Sequence, residues 1–121
     1  MTTSHRQDLC GRALRFALDI SAFHRRAAPY GHATRHAALQ LYRSGTAIGA
    51  SIEEGQVANS RKDMALKYAI ALREAREAQY WSRLLMDEPN LAEDARRLAV
   101  EAGEWVAMLT VSVRKLRQSA L

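Results

Sequence analysis

The residues able to do chemistry fall into a few groups, and their spacing sorts them. Tyr42–Gly55, YRSGTAIGASIEEG, holds three glycines, the hydroxyls of Ser44, Thr46 and Ser51, and the adjacent acids Glu53 and Glu54. A glycine-rich loop grips phosphate when it reads GxxxxGK[ST], or GxGxxG between a strand and a helix, because several backbone N–H groups then converge on one anion. Here the glycines stand at 45, 49 and 55, no lysine follows them, and no strand-like run precedes them. Glu53 and Glu54 point about 100° apart on a helix, so they do not converge as an acid–base pair. Acids near a helix C-terminus oppose its dipole. These two therefore either pair with basic residues or sit inside a longer helix.

The other candidates are weaker. All four histidines (His5, His24, His32, His36) precede the first glutamate, Glu53, so the Glu-x-x-His pairs of a di-iron bundle do not occur. His32 and His36 share a helix face at i, i+4 spacing, with no cysteine or carboxylate close in sequence to complete a metal set. Cys10, in DLCGR, has no activating base beside it and suits a small apolar position. Ser44, Thr46 and Ser51 show no His–acid arrangement. The sequence is read as non-enzymatic, with no catalytic residue, metal ligand, cofactor or small-molecule substrate assigned.

These residues must be positioned by helices. Alanine, leucine, arginine and glutamate dominate the 121 residues, which favours helix over sheet. Turn signals at RAAPYGH (26–32), GQVANS (55–60) and DEPN (87–90) divide the chain into segments joined by short links. Apolar residues recur at three- and four-residue steps in each segment. The expected helices span about 6–26, 33–54, 61–86 and 91–117 of one domain, 1–121. That is an all-α, antiparallel up-down-up-down four-helix bundle. In the second helix the seam Ala38, Leu41, Gly45, Ile48, Ile52 keeps its phase through both inner glycines. A helix-turn-helix would break that phase, so Gly45 and Gly49 instead thin one face for close helix packing. Ser60 is the expected N-cap of the third helix, with Asp63 three residues on.

The third helix carries two apolar stripes where a surface helix needs one. Met64, Tyr68, Ala71, Ala75 and Ala78 form the first; Leu66, Ile70, Trp81 and Leu84 form the second, with Lys67, Glu74 and Glu77 between them. A broad core with charged chains snorkelling at its edge accounts for this, as does a second interface with another subunit. The second account predicts an oligomer with Leu66, Ile70, Glu74, Glu77, Trp81 and Leu84 at the contact. Lys62, Arg73, Arg76 and Arg83 gather on the remaining arc. Net charge is +5, from fifteen arginines and three lysines against thirteen acids, dispersed without long runs. This balance suits RNA or DNA, or solvated faces and ion pairs. The arginine arc is the candidate nucleic-acid stripe, or else a set of subunit salt bridges. The lone cysteine suits a reducing cytoplasm, and no apolar run is long enough for a membrane span.

Tyr42–Leu85 resembles the four-helix-bundle proteins of the 23S-rRNA intervening-sequence family. That pattern has Arg-Ser before a small-residue helix, then Asn-Ile-x-Glu-Gly, a Ser-capped third helix, and Ile-Ala-x-x-Glu with Glu and Trp beyond. Arg43-Ser44, Ile52, Glu54-Gly55, Ser60, Ile70-Ala71, Glu74, Glu77 and Trp81 fall on it in order. Ser51 departs from it, standing where the family usually has asparagine. The resemblance implies bacterial up-down bundles gathered into homopentameric rings, which suits the doubled stripe. Some members are encoded within intervening sequences of 23S rRNA genes, a location that does not oblige the protein to act on that RNA. The fold is also similar, more distantly, to accessory proteins of diversity-generating retroelements, basic pentamers thought to bind nucleic acid. Two functions follow as expectations: a ring that binds RNA or DNA, or a protein-interaction scaffold.

Overall fold

The computed structural model describes the backbone of residues 2–119 and the side chains of residues 8–118. It contains four long helices: α1 (Thr2–Ala27), α2 (His32–Gln56), α3 (Arg61–Leu85) and α4 (Ala92–Ser119). A short 3₁₀ turn, Ala28–Tyr30, links the first two. No strand occurs among the described residues. None of the helices is long and apolar enough to cross a membrane, again among the described residues.

The periodic residues become one core. Phe16, Ile20 and Phe23 of α1, Leu41, Ile48 and Ile52 of α2, and Trp105 and Leu109 of α4 are all buried. α3 contributes Ala71, Ala75 and Ala78, with no solvent exposure. Small residues let α3 pack closely along both α2 and α4. α1 packs along α2 but meets α4 only sparsely.

Three local features set the helix ends. Gly31 has φ +101°, in the region that disfavours a side chain, and turns the chain into α2. Ser60 caps α3, its Oγ accepting from the Asp63 N–H at 3.0 Å. Glu93 and Asp94 occupy the first turn of α4, where the helix dipole favours acids.

α2 runs past the expected end at Glu54 and the chain turns only at Val57. Gly55 is helical and buried, because a Cβ there would come within 2.6 Å of the Tyr68 ring. Both alternatives for the paired acids thus occur together. Glu54 lies inside the longer helix, and its Oε1 pairs with Lys67 Nζ at 3.4 Å. At the other ends, α1 begins before Arg6, and α4 runs from Ala92 to Ser119.

Candidate functional site

The glycine-bearing face of α2 lies on α1. A Cβ at Gly45 would collide with Cδ1 of Ile20, and one at Gly49 would stand 3.2 Å from the Ala13 Cβ. Ser44, beside them, is buried and satisfies its hydroxyl within the helix, donating to Gln40 O at 2.9 Å. This part of the molecule is closely packed. Ile52 lies in the core beyond it, while Arg43 projects into solvent.

The two stripes of α3 separate. The first, with Tyr68, Ala71, Ala75 and Ala78, faces the core. The second points outward: Leu66 is 58% and Leu84 47% exposed, with Ile70 and Trp81 half-buried. Trp81 is held edge-on by His36 of α2, ring centroids 5.9 Å apart, and by Tyr80 at 5.1 Å. Among the described residues Glu74, half-buried beside this stripe, has only a long ion pair to its neighbour, Arg73 Nε to Glu74 Oε1 at 3.8 Å. Burial, then the charge of Glu77, pushes the Glu74 carboxyl above its ordinary range, while Arg73 opposes the shift. Glu77 itself is exposed.

Lys62, Arg73, Arg76 and Arg83 are all exposed, on the side of α3 away from the core. Lys62, Arg76 and Arg83 form no ion pair with any described residue. At about 100° per residue these four cations lie within about 80° of one another, with no acid on that arc of α3. They make a positive strip in which, among the described residues, only Arg73 has a carboxylate partner, the long pair to Glu74.

A second concentration of charge lies where α1 and α4 face each other across a groove of about 620 Å3. Arg12 grips Glu101 with two parallel bonds, Nε to Oε2 at 2.8 Å and Nη2 to Oε1 at 2.9 Å, and also bonds Glu104. The buried Trp105 donates Nε1–H to the same Glu101 at 3.1 Å. Its ring lies under the guanidinium, 5.4 Å from Arg12 Cζ. The Glu101 hydrogen bond holds the Arg12 pKa above its usual value, against the cost of burial and with further help from Glu104. Further along, Asp94 takes ion pairs from both Arg26 and Arg97. Local pattern does not reveal this cluster, since Arg12 and Glu101 lie far apart in sequence. Its only local trace is the i, i+4 spacing of Glu101 and Trp105.

His24, His36 and Cys10 make packing contacts, while His32 is exposed. His24 lies against Tyr42 at 5.2 Å. Cys10 donates its S–H to Gln56 Oε1 at 3.4 Å, and burial followed by the nearby Glu53 raises its thiol pKa, away from a reactive thiolate. The side chain of His5 lies outside the described residues.

Comparison with known proteins is informative at the level of family. Residues 6–111 match the family model described as 23S rRNA-intervening sequence protein. Among solved structures the chain is similar to a protein of unknown function from the S23 ribosomal protein family of Bacteroides thetaiotaomicron. The two are 31% identical with a TM-score of 0.76, over 86% of this chain and 96% of that one. No curated protein matches.

Proposed function

The chain belongs to the 23S rRNA-intervening sequence protein family, and from that premise we propose a non-catalytic, ring-forming protein of the cytoplasm that holds RNA or DNA on an arginine-rich surface. The observation that carries this reading is the strip Lys62, Arg73, Arg76 and Arg83, exposed on one side of α3 and largely without carboxylate partners. Cations placed this way attract phosphates and release counterions on binding.

The assembly belongs to the same proposal. The helices run up-down-up-down, an arrangement supported by the opposed order of the α1–α4 pairs, Arg12 with Glu101 and Arg26 with Asp94. Five copies close a ring through the outward stripe Leu66, Ile70, Trp81 and Leu84. Glu74 and Glu77 meet cations of the neighbouring copy there. The exposed apolar stripe and the poorly paired Glu74 support an interface at this place. A sedimentation experiment at micromolar concentration tests the ring, and a monomer there sinks it.

Binding is tested by titrating labelled RNA and DNA at several salt concentrations. Affinity should fall steeply with salt. Replacing Lys62, Arg76 and Arg83 together by alanine should reduce the log–log slope by about 2–3, at 0.7–0.9 per lost phosphate contact. The second reading, a protein-interaction scaffold, draws on the apolar stripe alone. It predicts no retention of either nucleic acid at low salt.

A further inference from the structure

Tyr80 is the one aromatic residue placed within the cationic arc of α3. It is 58% exposed. Arg76 and Arg83 lie one turn before and one turn after it, with Arg73 a further turn back, so Tyr80 shares one face of α3 with three arginines. Its edge contact with Trp81, itself braced by His36, steadies the ring while most of it remains in solvent.

The same surface continues onto α4. Gly103 marks where the two helices touch, since a Cβ there would come within 2.8 Å of Gln79 Nε2 on α3. Arg114 and Arg117 lie within about 40° of Gly103 around the α4 axis. Both are exposed and form no ion pair among the described residues. Small residues, Gly103 and Ala107, keep the strip between the two sets of arginines shallow.

Guanidinium groups around an exposed ring match a ligand offering both phosphates and accessible base faces. A duplex keeps its bases stacked inside and presents mainly phosphate to such a surface, leaving Tyr80 without a role. An unpaired strand offers both. Resting on the nucleic-acid reading above, we infer that the α3–α4 face takes single-stranded nucleic acid. Tyr80 stacks on a base, while Arg73, Arg76 and Arg83 of α3 and Arg114 and Arg117 of α4 contact the phosphates.

Fluorescence anisotropy at low salt tests this with a labelled oligothymidylate and a duplex of equal length. Wild-type protein should bind the single strand more tightly. Tyr80→Ala should weaken single-strand binding about 5- to 150-fold, the range of one base–aromatic stack, and leave duplex binding unchanged. Tyr80→Phe keeps the ring and should bind as wild type, with circular dichroism confirming the fold of each variant. The double variant Arg114→Ala, Arg117→Ala should lower the single-strand salt slope by about 1.4. If Tyr80→Ala binds the single strand as wild type does, or Tyr80→Phe loses as much as Tyr80→Ala, the inference is overturned while the nucleic-acid reading stands. An unchanged slope in the double variant removes α4 from the site. If wild type binds neither probe, the underlying reading fails as well.

Discussion

α4 carries arginine on two sides, and the two sides use it differently. Toward α1, Arg97 shares Asp94 with Arg26, and Glu101 is gripped by Arg12 over the buried Trp105. Toward α3, Arg114 and Arg117 stand exposed and form no ion pair among the described residues. Residues of one type thus tie helices together on one side and leave charge available on the other. Net charge alone does not tell a reader which surface is basic. What decides is where the carboxylates lie, and five of the acids (Asp19, Glu93, Asp94, Glu101 and Glu104) lie in or beside the α1–α4 groove. α1 repeats the contrast. It meets α4 through charge at the groove, but meets α2 through the glycine-thinned seam at Gly45 and Gly49.

The largest effect should come from the seam. Gly45→Leu drives a branched side chain into Ile20, which is fully buried and has no room to yield. Overpacking should exceed the helix-propensity gain of about 1 kcal/mol and leave a net loss of about 2 kcal/mol or more. Thermal or denaturant unfolding measures it, and a wild-type midpoint would show that shape does not hold α1 to α2. Next is Glu101→Ala, which removes the bidentate partner of Arg12 and the acceptor of the Trp105 N–H. A loss of about 1–2 kcal/mol is expected by denaturant titration. An unchanged stability would mean that the groove pairs are as dispensable as ordinary surface salt bridges.

A smaller effect concerns Glu74, an acid with poor pairing where Glu101 has good pairing. Its carboxyl pKa is raised in the folded chain, so the folded state binds that proton more tightly than the unfolded state does. Stability is therefore unaffected below the unfolded value, about 4.3. It declines as pH rises from there through the folded value. In an isolated chain, Glu74→Gln should stabilise at neutral pH and change nothing near pH 3. In a ring where a neighbour's cation meets Glu74, the same substitution should weaken assembly at neutral pH. Unfolding and sedimentation measured across pH separate these outcomes. The smallest effect belongs to the open arginines. Arg76→Ala with Arg83→Ala should alter stability by no more than about 0.5 kcal/mol, since neither side chain forms an ion pair among the described residues. A larger loss would place them in the architecture rather than on a binding surface.

Much of the fold was legible because helix periodicity is a local property. The seam Ala38, Leu41, Gly45, Ile48, Ile52 kept its phase through the glycines, and α2 is continuous there. Ser60 followed by Asp63 marked the start of α3, and the hydroxyl is bonded at that N–H. Helix ends were less legible. Gly55 resembles a terminator in sequence, yet it is helical, since the missing side chain makes room for Tyr68 from the next helix. The candidate site was legible only in part. The α3 cations were visible as an arc that by spacing also holds Tyr80, whereas only the packing of α4 on α3 shows which side Arg114 and Arg117 occupy.

By itself the sequence determined the all-α four-helix fold and the unbroken seam through Gly45 and Gly49, because these follow from residue type and spacing along one helix at a time, and its motif resemblance pointed to the family. Only the tertiary structure decided which α3 stripe enters the core and which arginines are neutralised. Both depend on what neighbouring helices present across a gap of a few ångströms. Arg12 and Arg114 are the same residue on helical backbone, and only the packing of α1 against α4 gives the first its glutamates and leaves the second open to solvent.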